Sequence, residues 1–120
     1  MEVHLPHEAP IRFVKSILSK ENDKARVSVE FDERPSLAML VEAAAQSSSA
    51  LNNEKVQTAY LVSMKDIQLL ITPTKNNLEI EVINQYSLEN MKNISFSVFE
   101  NGTIIADGSF TIAIHNQGSR

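Results

Sequence analysis

Between Arg26 and Phe31 apolar and polar residues alternate, with Val27, Val29 and Phe31 on one side and Arg26, Ser28 and Glu30 on the other. A period of two is the signature of a strand with one buried face. The alternation returns in Leu78, Ile80 and Val82 against Glu79 and Glu81, and in Ile94, Phe96 and Val98 against Ser95 and Ser97. Thr58 to Met64, Ile67 to Ile71 and Thr103 to Ile114 read as further strands. Asn101-Gly102 lies between two such segments and predicts a two-residue hairpin turn, because both residues tolerate positive φ. Ahead of these strands, Ile11, Phe13, Val14, Ile17 and Leu18 fit a short helix leading into a strand, and Lys20 to Lys24 fit a turn.

The pattern changes between Ser36 and Leu51. Leu37, Ala38, Met39, Leu40, Val41, Ala43, Ala44, Ala45 and Ala50 are good helix formers uninterrupted by Gly or Pro, and Pro35 is suited to the first helical position. From Pro35 to Asn53 the only ionisable side chain is Glu42. A helix without a charged face is a helix that is buried nearly all round. These elements predict an N-terminal strand pair, one long buried helix and a run of antiparallel strands, an α+β arrangement in which a curved sheet wraps the helix. Any part of the helix left uncovered is a natural dimer surface.

Composition narrows the possibilities. A chain of 120 residues, 42% apolar and 22% charged, fits one folded domain over 1–120 with a core of its own. The net charge of -4, with eleven scattered Lys and Arg residues, argues against nucleic acid as a partner. No cysteine is present, which removes disulfides, thiolate metal sites and cysteine nucleophiles. With three glycines, none in a phosphate-cradling pattern, and no metal-ligand spacing, no metal or cofactor is expected. The segment Met1 to His7 is neither a basic leader nor the start of an apolar signal core, and no apolar run is long enough to span a bilayer; the expected location is cytoplasmic.

Two segments resemble a known family. Leu5-Pro6-His7-Glu8-Ala9-Pro10 followed by Phe13-Val14 is similar to the Leu-Pro-His-Arg-x-Pro segment that opens the beta-hydroxyacyl-ACP dehydratases. Leu40-Val41-Glu42-Ala43-Ala44-Ala45-Gln46 is similar to their Ile-Ile-Glu-Ala-x-Ala-Gln helix, and Lys65-Asp66-Ile67 and the Asn101-Gly102 hairpin follow in the family's order. The resemblance implies a hot-dog fold, an acyl thioester on acyl carrier protein or coenzyme A as ligand, and assembly as a homodimer or with a related hot-dog subunit. It implies a pocket role for Glu42, whose counterpart works with a His from the neighbouring subunit. That His belongs to a Gly-rich motif before the helix. Here the stretch is Val29-Glu30-Phe31-Asp32-Glu33-Arg34-Pro35-Ser36-Leu37, with Glu30 in the His position and no glycine. Divergent members of this kind resemble the dehydratase-like proteins of aryl-polyene pathways, where a weak or inactive subunit pairs with an active one.

Dehydration of a 3-hydroxyacyl thioester requires a base at C2 and an acid at the departing hydroxyl. A carboxyl group in an apolar setting can serve as that acid, and Glu42 is the candidate. The helix N-terminus at Ser36 and Leu37 offers backbone N–H groups to a developing enolate oxygen. Gln46 lies one turn beyond Glu42 on the same face and reads best as a structural hydrogen-bonding group, and His7, at a family position other than the catalytic one, as a turn or capping residue; Ser36, Leu37, Gln46 and His7 are the candidate substrate-binding residues. The aromatic residues Phe13, Phe31, Phe96 and Phe110, with Met39, fit a core or an acyl tunnel. Ser47, Ser48 and Ser49 fit close helix packing better than nucleophilic catalysis, since no His or acid stands at a matching spacing. Two other activities stay open: a non-catalytic partner whose pocket is filled by side chains, and a thioesterase in which Glu42 activates water or attacks the thioester.

Overall fold

The computed structural model describes residues 13–51 and 57–116. Six strands and one helix follow each other in the order β1 (Val14–Lys20), β2 (Lys24–Glu30), α1 (Leu37–Ser47), β3 (Gln57–Leu69), β4 (Asn77–Leu88), β5 (Met91–Glu100) and β6 (Thr103–Asn116), with a 3-10 turn over Ser48–Leu51 closing α1. The strands form one antiparallel sheet in the spatial order β1-β2-β4-β5-β6-β3. The chain leaves β2 near one edge, passes through α1, and enters β3 at the far edge. Among the described residues no helix is long and apolar enough to cross a membrane.

Alternation places the core. In β2, Ala25, Val27 and Val29 are buried; their partners in β4 and β5, among them Leu78, Ile80, Val82, Phe96 and Val98, are buried with them on the face that receives Leu40, Ala43 and Ala44 of α1. Phe13 stacks against Phe31 with ring centroids 4.7 Å apart, and Phe96 against Phe110 at 5.8 Å. All four of these aromatics are buried and fill the core. On the opposite face Arg26 pairs with Glu79 at 3.1 Å and Glu81 at 3.7 Å, and its guanidinium lies 4.2 Å above the Phe99 ring.

Several expectations from sequence are corrected. The helix is eleven residues long rather than sixteen. Its serines explain the early end: the Ser47 hydroxyl donates to the Ala43 carbonyl at 2.7 Å and the Ser48 hydroxyl to that of Ala45 at 2.6 Å, and the chain tightens into the 3-10 turn. Pro35 is not the first helical residue. Ser36 is the N-cap, its hydroxyl accepting from the Met39 N–H at 3.2 Å, because a side chain able to cap outranks the conformational advantage of proline one position earlier. Residues 14–20 form the first strand of the expected N-terminal pair, held by β2, with no helical turn before it among the described residues. The segments around Thr58–Met64 and Ile67–Leu69 are one strand that stops short of Ile71, with Asp66 at φ 55° and a register shift between Lys65 and Gln68 in place of the expected break. That bulge presses on β6: a Cβ at Gly108 would lie 2.5 Å from Ile67 Cδ1 and 3.0 Å from Ile67 Cα. The Asn101-Gly102 turn forms as predicted, with φ 54° and 82°. A second tight turn, Glu89-Asn90, joins β4 to β5 with Glu89 at φ 57°.

The link between β3 and β4 is fastened to the end of β5. The Thr74 N–H and hydroxyl donate to the two Glu100 carboxylate oxygens, at 2.9 and 2.5 Å. The Thr74 hydroxyl bond first, then the Thr74 backbone bond, hold the Glu100 carboxyl below its usual range.

Gly108→Ala is expected to lower unfolding stability by about 1–3 kcal/mol in urea titration, because the bulge backbone cannot retreat without breaking the β3–β6 ladder. The depressed Glu100 carboxyl stabilises the fold above the ordinary carboxylate range, and that contribution is lost as pH falls through its folded value. Wild type is therefore expected to exceed Glu100→Gln in urea midpoint at neutral pH, with the gap closing in acid.

Candidate functional site

The helix is not covered evenly. Leu40, Val41, Ala43, Ala44, Ala45 and Ser47 are buried, whereas Ala38 is exposed and Glu42 and Gln46 are half-buried. Residues four apart share a helix face, so Ala38, Glu42 and Gln46 form a stripe left open by the sheet of this chain. The ionisable side chain of the helix thus stands at the border between core and open surface.

Gln46 ties this stripe to the start of the sheet. Its Oε1 accepts the Phe13 N–H at 2.9 Å, and its Nε2 donates to Glu42 Oε2 at 3.4 Å. With the amide oxygen committed to a backbone donor, the amide N–H₂ must face the carboxylate, so Phe13 sets the orientation in which Gln46 meets Glu42. The Phe13 carbonyl in turn accepts the Glu30 N–H at 2.9 Å, anchoring the entry to β1 against the end of β2. The chain from β2 to Phe13 to Gln46 to Glu42 is continuous in hydrogen bonds. Glu42 Oε1 has no such fixed neighbour among the described residues.

At the other end of the helix, Ser36 takes up the Met39 N–H, and the Leu37 and Ala38 N–H groups remain without an intrahelical acceptor. Five residues at about 1.5 Å rise put Leu37 about 7.5 Å along the axis from Glu42. Leu37 itself is half-buried against the core. Ser36 therefore acts first as a helix cap, and its neighbour supplies apolar contact and a backbone donor.

Glu30 does not join this group. Alternation turns it to the outer face, where it pairs with Lys15 at 2.9 Å. His7 lies outside the described residues, as does His4. Ser47 and Ser48 spend their hydroxyls on helix carbonyls and present no nucleophile arrangement. Two clefts border the sheet near β1. The larger, of ≈500 Å³, opens on the outer side around Lys15, Glu30, Glu79 and Phe99. The smaller, of ≈370 Å³, lies between β1 and the C-terminal half of α1 and includes Gln46 in its wall. Glu42 lines neither.

The Gln46 link was beyond sequence reasoning in one respect. The spacing of Glu42 and Gln46 shows that they share a face, but the Phe13 N–H is 33 residues away and is brought in only by the sheet.

No protein-family model matches the chain, and no curated protein matches it in sequence. Solved structures match it closely in shape. The dehydratase heterocomplex ApeI:P from Xenorhabdus doucetiae superposes with a TM-score of 0.79 at 15% identity, over 94% of this chain and 89% of that one. The protein smu.793 from Streptococcus mutans, bound to acetyl CoA, gives 0.73 at 15% identity, over 95% and 98%. A hypothetical thioesterase protein from Streptococcus pneumoniae, with coenzyme A, gives 0.70 at 12% identity, over 87% and 88%. These neighbours have the hot-dog fold, and the six-stranded antiparallel sheet around a single helix gives this chain the same fold.

The two members of the polar pair are expected to differ in their structural cost. Gln46→Ala leaves the Phe13 N–H and Glu42 Oε2 unpaired and should lower stability by about 1–3 kcal/mol in chemical denaturation. Glu42→Gln keeps shape and an acceptor for Gln46, and should stay within about 1 kcal/mol of wild type in the same titration.

Proposed function

We propose that the chain is an acyl-thioester-binding hot-dog subunit, with Glu42 as the acid of a 3-hydroxyacyl-thioester dehydration and the base supplied by a neighbouring subunit. The observation that carries this reading is the Glu42–Gln46 pair, oriented from Phe13, on the open stripe of a largely buried apolar helix. A half-buried carboxyl with one oxygen held by an amide and the other free is arranged to meet a substrate atom. The Leu37 and Ala38 N–H groups are the matching donors for a thioester oxygen. Gln46 and Ser36 act here as positioning groups.

A partner subunit is supported by two features. The open stripe of α1 needs cover, and β3 presents an edge that is unpaired among the described residues, with Val62 and Met64 exposed beside it. The other edge, β1, carries Lys15 and Lys20 and two register irregularities, devices that discourage strand addition. We assign the partner as a related hot-dog subunit, in keeping with the likeness to a dehydratase heterocomplex, because Glu30 occupies the family's His position and is turned to Lys15. The likeness to structures holding acetyl CoA and coenzyme A supports a thioester as ligand. We place the activity in the cytoplasm, where acyl carrier protein and coenzyme A thioesters are both at hand.

The test uses 3-hydroxyacyl and saturated acyl thioesters on coenzyme A and on acyl carrier protein, followed by mass spectrometry. The protein is expected to bind them and to release water from the 3-hydroxyacyl species, at a rate that Glu42→Gln lowers at least about a hundredfold. Free acid as product would make it a thioesterase; binding without any mass change would make it a non-catalytic partner. Absence of binding would overturn the reading.

A further inference from the structure

We infer that the cleft between β1 and the C-terminal half of α1 takes the distal, saturated end of the acyl chain, and that Ile17 sets the length it admits; this rests on the acyl-thioester reading above. Ile17 pairs with Val27 and Val14 with Val29, and directly paired residues of antiparallel strands share a face. Val27 and Val29 are buried in the core, so Ile17 and Val14 point toward the helix. Ile17 is nevertheless 54% exposed. It is an inward-facing apolar side chain that the helix does not reach.

The helix leaves this space because it is slender there. Ser47 and Ala50 face β1 across the cleft, and its ≈370 Å³ fall within the range of ligand-sized pockets. Its chemistry is apolar in effect. The Ser47 hydroxyl is spent on the Ala43 carbonyl, and both polar ends of the Gln46 amide are engaged. At the rim, Ser16 bonds Ser28 at 2.9 Å and Lys15 pairs with Glu30, both on the outer side. A polar tail entering here would lose its water without gaining partners, whereas a methylene chain loses nothing. Gln46 belongs both to the cleft wall and to the Glu42 pair. A chain whose reacting end sits at Glu42 therefore continues past Gln46 into the cleft.

The experiment measures dissociation constants of saturated acyl-coenzyme A thioesters, from acetyl to decanoyl, by calorimetry. Wild type should bind about three- to fourfold more tightly per added methylene until the cleft is full. Ile17→Trp should leave the acetyl value unchanged and end the gain at a shorter chain, and Ile17→Ala, which introduces no clash, should shift the limit to a longer one. Ser19→Trp, on the same strand but paired with Arg26 on the outer face, should reproduce wild type throughout. If both Ile17 variants follow the wild-type series, or if Ser19→Trp shortens it equally, the cleft is not the tail site. If no thioester of any length binds, the underlying thioester reading fails instead.

Discussion

A helix of eleven residues with one ionisable side chain must be enclosed by apolar surface, and the rest of the molecule is arranged to do this. The enclosure cannot come from a second helix, since the chain has only this one among its described elements. It comes from a sheet, whose inner face alternates Val, Ile, Leu and Phe with outward polar residues and packs on α1 through β2 and β4 above all. Small residues at Ala43, Ala44 and Ala45 let the helix approach the sheet closely, and Leu40 supplies the bulk. The one stripe that the sheet leaves bare is the stripe that carries Glu42.

That coincidence gives the site its character. A carboxyl deep inside would need a full complement of partners, and one in bulk water would be an ordinary surface group. Glu42 is neither: Gln46 engages one oxygen, and the orientation of Gln46 is dictated by a backbone N–H at the entry to β1. The functional group is thus positioned from the sheet through a single amide. Any shift of β1 relative to α1 is felt at the carboxyl.

Much of this was legible in the residues. The alternation of β2, β4 and β5 stands out because one face of each is buried and the other wet, and Asn101-Gly102 declares its turn because both residues accept positive φ. Glu89-Asn90 gives no such signal, since Glu is not a residue that favours φ above zero, and the pairing of its flanking strands imposes the turn. The helix was visible from composition, but its end depends on where Ser47 and Ser48 place their hydroxyls, a choice between solvent and carbonyl that sequence leaves open. The bulge at Asp66-Ile67 registered as a gap between two strands. Glu42 and Gln46 were visible as a pair by helical spacing, whereas the spatial order of strands and the partner of the Gln46 amide follow from contacts remote in sequence.

The strand order also carries a consequence for biosynthesis. β1 with β2, β4 with β5 and β5 with β6 are neighbours in sequence and close as short hairpins. Among the described residues β3 pairs only with β6, the sixth strand in chain order, so that Gln57 waits for Asn116. On the ribosome β3 emerges with neither of its edges matched, and remains so while three further strands are synthesised. Contacts this distant are slow to form, and unpaired apolar strands are where nascent chains associate wrongly. The strand that lies at the far edge of the sheet is thus one whose pairing spans a long stretch of chain.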